Sequence, residues 1–179
     1  MHILVTPRLT LRPPLEVDTD RVLAILGDRR VAWNLSRVPH PFTREDARDW
    51  IRRAGDRDNP VQFTIHRHTM IGAARVRIAK DGPSLGYWLA TECQGRGYAV
   101  EAAVAVLAHA FRLHGFTTVH AGAAVDNAPS HGVLKRLGFK ETHRETCPIA
   151  SRGQTVVRVR FQLTRERFEQ LHGARAMAA

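Results

Sequence analysis

Gln94-Gly95-Arg96-Gly97-Tyr98-Ala99 is the stretch on which the reading of the fold turns. Leu85-Gly86-Tyr87-Trp88-Leu89 precedes it, aromatic and apolar, and reads as a short strand. Ala99 to Leu113 follows, with apolar residues at 99, 102, 103, 106, 107 and 110, the spacing of one face of an amphipathic helix. A strand, a glycine-rich turn and a helix N-terminus together make an anion site. Backbone N–H groups point outward there, the helix dipole favours negative charge, and glycines let a phosphate approach closely. The stretch therefore predicts a phosphorylated ligand.

Three ligand classes compete for such a loop. A Walker-type loop needs Lys-Ser/Thr after its last glycine, which is absent. Gly95-Arg96-Gly97 opens a dinucleotide-type G-x-G, but Val100 stands at the third glycine position. The loop also lies mid-chain with one clear βαβ unit rather than a repeated one. The candidate that remains is the pyrophosphate of an acyl-coenzyme A.

Gln94-x-x-Gly97-x-Ala99 resembles the Q/R-x-x-G-x-G/A signature of the GNAT (general N-acetyltransferase) superfamily. Its companions are Gly86-Tyr87-Trp88-Leu89 upstream and, downstream, Asn127-Ala128-Pro129-Ser130 with Val133-Leu134-Lys135-Arg136-Leu137-Gly138-Phe139. In that order the set looks like the branch of ribosomal-protein-alanine N-acetyltransferases and their small-molecule relatives, over roughly residues 7–164. The resemblance implies an α/β GNAT fold. Its mixed, mostly antiparallel sheet has about seven strands, splayed between the fourth and fifth, with about four flanking helices. It implies acetyl-coenzyme A as co-substrate, no metal, and a primary amine as acceptor, either a protein N-terminal α-amine or a small amino compound. Transfer is by direct attack in a ternary complex. The same loop would be kept in a non-catalytic acyl-coenzyme A sensor, which stays open as an alternative.

Residue by residue, the resemblance assigns the pantetheine arm to the backbone near Tyr87, Trp88 and Leu89. The pyrophosphate falls to the amides of Gln94, Gly95, Arg96, Gly97, Tyr98 and Ala99. Arg96, with Lys135 or Arg136, is a candidate for other phosphate groups. Asn127 and Ser130 match positions that contact the pantetheine and the sulfur. Ser130 is the candidate donor to the departing thiolate, with helix-start serine as its plainer role. The resemblance also places the segment 31–40 beside the acceptor, making Trp33 and His40 substrate-binding candidates. The plainer role, which the residues themselves favour, is an anchor for that segment in the case of Trp33 and an exposed loop residue in the case of His40, between Pro39 and Pro41. Glu141 and Glu145 are the candidate bases.

Composition bounds the rest. A 179-residue chain, 44% hydrophobic and 25% charged, suits one globular domain. We expect that domain over residues 1–172, with a disordered tail over 173–179. No stretch resembles a signal peptide or a membrane span, and Cys93 and Cys147 form no CxxC, which together suggest a cytoplasmic protein with free thiols. His66 and His68 have no third ligand nearby, so no metal is expected. The net charge is +10, and residues 61–179 hold 16 Lys/Arg against 8 Asp/Glu. Such a field can steer a charged co-substrate. Aromatics, at 7%, are not interleaved with the basic residues, which argues against nucleic acid. A homodimer is left open.

In chain order, Arg8–Arg12 reads as the first strand. Asp18 would cap a helix over Val22–Leu26 that Gly27 stops, and Thr43-x-x-Asp46 would open a second that buries Ala47, Trp50 and Ile51. Strands follow at Val61–Ile65 and Met70–Ile78, with an Asp81-Gly82 turn. After the long helix, capped by Gly115, come a strand at Thr117–Val125 and a short helix to Leu137. Final strands lie near Phe139–Arg144 and Thr155–Leu163, and Glu101 reads as structural. Deprotonating an α-amine at neutral pH costs roughly 1 kcal/mol and a lysine side chain nearer ~4.6 kcal/mol, which favours a low-pKa acceptor.

Overall fold

A computed structural model of the chain describes residues 2–176. The N-terminal part forms β1 (Leu4–Val5), β2 (Thr10–Arg12), α1 (Thr19–Gly27), α2 (Arg29–Ala32) and α3 (Arg44–Arg52). Three antiparallel strands follow, β3 (Val61–His66), β4 (Met70–Ala79) and β5 (Gly82–Leu89). Helix α4 (Tyr98–His114) then crosses over to β6 (Thr118–Ala124). The chain continues through α5 (Ala128–Leu137), β7 (Lys140–Ile149), β8 (Gln154–Thr164) and α6 (Arg165–Ala176). The sheet order is β1-β2-β3-β4-β5-β6-β8-β7, so β8 inserts between β6 and β7.

The mixed, mostly antiparallel α/β architecture expected from the resemblance is present, with eight strands rather than seven and six helices rather than four among the described residues. The extra strand is the two-residue β1, paired with β2 at Leu4↔Leu11, too short to leave an alternating pattern in sequence. The extra helices are the single turn α2 and the C-terminal α6. Residues 173–176, expected as tail, continue α6, and 177–179 lie outside the described residues. Phe168 is fully buried in α6, but Leu171 is half exposed, so no regular apolar period announces this helix.

Two layers cover the sheet. Ala102, Ala103, Val106, Leu107 and Ala110 of α4 are buried against Phe63, Ile65, Val76 and Leu85. Small residues on α4 let it lie close to the strands. On the other face, Val22, Ile25 and Leu26 of α1 meet Ala47 and Ile51 of α3 over Met70 and Ala90. Thr43 and Asp46 form a complete capping box at α3, the Asp46 carboxylate accepting the Thr43 N–H at 2.8 Å. Asp18 precedes α1 but makes no side-chain cap. Its carboxylate is taken by a two-pronged bond from Arg12 (2.8 Å each) and by the Leu15 N–H. Burial would raise that carboxyl's pKa, but the Arg12 and Leu15 bonds outweigh it and hold it low.

Among the described residues, all but one of the strand pairings are antiparallel. The exception is β5 with β6, which pair in parallel and meet only at Ser84↔His120. Beyond that point the two strands part, and the rest of β5 is bound only to β4. Close packing holds β5 there. A Cβ on Gly72 would stand 2.3 Å from the Trp88 carbonyl oxygen and 3.0 Å from the Leu89 Cα.

Candidate active site

A cleft of about 1310 Å³ occupies the gap between β5 and β6. It runs from Gly95 and Gly97 along Gly86–Leu89 and past Asn127, Pro129 and Ser130, reaching α3 and the open faces of β4 and β8. Among the described residues, no helix is long and apolar enough to cross a membrane.

The glycine loop is shaped by two left-handed residues, Gly95 (φ +73°) and Gly97 (φ +81°), the second being the N-cap of α4. A Cβ at Gly95 would meet nothing within 4 Å, and one at Gly97 only the Arg8 Nη2, at 3.4 Å. The space in front of these amides is therefore open. The first hydrogen bond of α4 runs from the Glu101 N–H to the Gly97 carbonyl (3.1 Å), which leaves the amides of Tyr98, Ala99 and Val100 without intrahelical partners.

Side chains brace this loop from behind. Gln94 Nε2 donates to the Leu89 carbonyl at 3.0 Å, tying the loop to the end of β5. Arg8 donates from Nη1 to the Arg96 carbonyl (3.1 Å) and from Nε to Glu101 (2.6 Å), and its guanidinium lies 4.7 Å over the Tyr98 ring. Thr6 adds a 2.7 Å bond to Glu101. Burial alone would raise the Glu101 pKa, but the Thr6 and Arg8 bonds hold it below its ordinary value. Glu101 thus joins the N-terminal strand region to the first turn of α4.

At mid-cleft, Tyr87 and Ser130 face each other across the splay, their hydroxyl oxygens 2.7 Å apart. Burial pushes the Tyr87 phenol up to about 12, against the Ser130 hydrogen bond, so it stays protonated at neutral pH. Asn127 is the N-cap of α5, its Oδ1 accepting the Ser130 N–H at 3.2 Å. The sequence brought Tyr87 in for its backbone, and nothing in the local pattern showed that its side chain reaches α5, 43 residues on.

Most of the expected residues line the cleft: Tyr87, Trp88, Leu89, Gln94, Gly95, Gly97, Tyr98, Ala99, Asn127 and Ser130. Arg96, exposed, is not among the lining residues; Arg136 is, and Lys135 is not. Trp33 and His40 also lie outside the lining. Trp33 is held as an anchor, with the Arg152 guanidinium 4.7 Å from its ring and Arg29 at 5.5 Å on it too. Arg152 donates to the Trp33 carbonyl (2.7 Å), to both Asp126 oxygens (2.7 and 3.1 Å) and to Asn34 (3.1 Å). Ser151 adds a 2.7 Å bond to the Ala32 carbonyl, so the β7–β8 connection is clamped onto α2. His40 is exposed. The tryptophans that do line the cleft are Trp50 and Trp88, packed edge to face at 5.5 Å. Of the candidate bases, Glu145 is bound by Arg158 and lies 3.6 Å from Arg160, while Glu141 is exposed on β7 outside the cleft.

The far side of the cleft is rich in guanidinium groups. Arg75 and Arg77 come from β4, Arg37 from the α2–α3 connection, Arg53 from the end of α3, and Arg158 and Arg160 from β8.

Comparison with known proteins agrees with this architecture. Mycobacterium smegmatis RimJ in complex with a coenzyme A disulfide superposes with a TM-score of 0.79 at 21% identity, covering 99% of this chain and 92% of that one. RimL, a ribosomal L7/L12 α-N-protein acetyltransferase in complex with coenzyme A, gives 0.77 at 18%, covering 91% and 98%. The ribosomal-protein-S5-alanine acetyltransferase from Vibrio fischeri gives 0.76 at 18%, covering 94% and 99%. By sequence, no curated protein matches. At these identities the structures share the fold with this chain, and the assignment rests on the sequence itself: residues 8–140 match the acetyltransferase (GNAT) domain. With that match spanning most of its length, the chain belongs to the GNAT acetyltransferase family.

Proposed function

We propose that the protein transfers an acetyl group from acetyl-coenzyme A to a primary amine, by direct attack within a ternary complex. The observation that carries this reading is the continuity of one cleft. It joins an open cradle of amides at the start of α4 to a hydroxyl pair in the β5–β6 splay, and then to an acceptor side walled by other elements. The residues fit the co-substrate. Both glycines leave the cradle clear, and the unpaired amides with the helix dipole suit a diphosphate. The unpartnered length of β5 offers main-chain groups to the amide-bearing pantetheine arm. When bound, acetyl-coenzyme A supplies the acyl group and a thiolate leaving group.

The chain's own residues then have separable tasks. Gln94 and Arg8 fix the loop, and Asn127 orients Ser130 by capping α5. Ser130 donates a hydrogen bond toward the leaving sulfur, whose free thiol has a pKa of about 8.5, and the proton shed by the attacking amine replaces any that the hydroxyl passes to the thiolate. The Tyr87 phenol, kept protonated by burial, donates to Ser130 in turn and stabilises the oxygen as its proton is shared. A main-chain N–H near Tyr87 facing the thioester carbonyl would stabilise charge that develops on attack, an effect worth about 2.7–4 kcal/mol. The amine enters from the Trp50–Trp88 side. A protein N-terminus or a small amino compound is the favoured acceptor, since its α-amine loses a proton near neutrality.

The test is acceptor-dependent release of free thiol from acetyl-coenzyme A across a panel of primary amines. Amine-dependent release with a matching mass gain on the acceptor supports transfer. Tight coenzyme A binding with no acceptor-dependent release would instead make the protein a binding module.

A further inference from the structure

Four arginines on the acceptor side of the cleft have no carboxylate partner among the described residues: Arg37, Arg53, Arg75 and Arg77. Arg75 is half-buried, and its one side-chain hydrogen bond goes to Asn59 Oδ1 at 3.4 Å. Its side chain crosses Gly86, where a Cβ would lie 3.9 Å from Arg75 Cγ and Nε. The charged groups acting on it are all cations, namely Arg77, Arg37 and Arg53. Burial first, and then these neighbours, push the Arg75 pKa down to about 10, which leaves it charged at neutral pH. Further along the same face, Arg158 and Arg160 are engaged by Glu145 and Asp81. The protein therefore gathers like charges in a partly desolvated wall where, among the described residues, no carboxylate forms an ion pair with any of these four, and only Asp81, acting on Arg77 from further off, offsets them. Mutual repulsion and the partial burial of Arg75 and Arg77 favour an anion that completes the group.

The position of this wall says which ligand it serves. In the β4–β5 register Arg75 stands opposite Gly86 and Arg77 opposite Ser84. The glycine loop lies past the other end of β5, after Leu89. Tyr87 and Ser130 fall between. The arginines are thus beyond the reacting end, away from the cradle suited to phosphates. We infer that the acceptor is an amine carrying a carboxylate, held by Arg75 and Arg77 with Arg37 and Arg53 at the rim. The planar guanidinium fork of Arg75 matches a carboxylate's two oxygens. The inference rests on the transfer reading for the amine, but the anion subsite can be measured without turnover.

The carboxylate has two sources, a small amino acid or an acidic residue near a peptide N-terminus, and the assay separates them. One arm compares L-glutamate and L-aspartate with their fully amidated forms. The other compares Ala-Asp-Ala-Ala amide with Ala-Asn-Ala-Ala amide. Each is read by thiol release and by calorimetric titration into protein saturated with coenzyme A. Within the arm that is the true source, the acid should bind about tenfold more tightly than its neutral partner or better. Arg75→Gln should erase that ratio while the coenzyme A Kd stays within about twofold. Arg53→Gln, at an exposed site, should reduce the ratio in part and serves if the Arg75 variant folds poorly. Equal binding of acid and neutral partner in both arms overturns the subsite, as does an Arg75→Gln variant that loses coenzyme A instead. Acid-selective binding with no thiol release would sink the transfer reading and leave the subsite standing. Transfer without acid selectivity would do the reverse.

Discussion

One end of the cleft offers a ligand main-chain amides, and the other offers side chains. At the loop end, the groups come from one contiguous run, Gln94–Ala99, and from the first turn of the helix that follows it. Their directions follow from two positive φ angles and a helix start. At the arginine end, the groups come from the α2–α3 connection, α3, β4 and β8, brought together only by the sheet register and the packing of α1–α3. A backbone site tolerates change in most of its side chains but not in its glycines. A side-chain site is open to substitution one residue at a time, which suits the role proposed for this end, telling acceptors apart.

Ser130 stands where the two ends meet, so its loss should hurt most. Ser130→Ala is expected to lower kcat about 100-fold, with the coenzyme A Kd little changed. A drop in affinity with normal kcat would move Ser130 from chemistry to binding. Gly97→Val acts on the loop end alone. The residue's φ of +81° disfavours any side chain, and a β-branched one most of all. The coenzyme A Kd should rise about 10- to 100-fold, while the acceptor KM at saturating co-substrate stays near its original value. Unchanged Kd by titration calorimetry would put the diphosphate elsewhere.

His109 tests α4, the helix that starts at the loop end. It is buried on α4 against Phe63, and burial, with His2, His114 and Arg112, holds its pKa near 4, below the ordinary 6.5. The unfolded chain therefore binds a proton, between those two values, that the folded chain refuses. Stability from this group is present above pH 6.5 and falls as pH drops toward 4, by up to about 2 kcal/mol between pH 7 and 5. His109→Leu should show a smaller loss of melting temperature between those pH values than the parent protein. Equal losses would mean that the imidazole is charged in the fold. The smallest effect belongs to Tyr87→Phe. It removes a donor to Ser130 but keeps the ring, so kcat should fall only about 3- to 10-fold. A change as large as that of Ser130→Ala would make the phenol the direct donor to sulfur.

Much of this was legible in sequence where the determinants are local. Thr43 and Asp46 announced the start of α3, Gly115 and Gly138 the ends of α4 and α5, and the α4 stripe its buried face. Asp18 misled because a partner six residues earlier, Arg12, captured its carboxylate. The family resemblance alone puts Trp33 and His40 near the acceptor. The structure has Trp33 engaged by Arg152, 119 residues away, and puts Trp50 and Trp88 in the cleft instead. No pattern within a short window could report that contact.

The strand–loop–helix unit, its left-handed glycines, the apolar face of α4 and the family to which these belong are all written in short stretches of sequence. Each rests on neighbours a few bonds apart, whose preferences survive without the rest of the chain. The parting of β5 from β6 after one residue pair, the meeting of Tyr87 with Ser130 and the gathering of arginines from separate elements on one wall arise from long-range packing. Those facts depend on register and packing between distant segments, and a linear pattern carries no record of either.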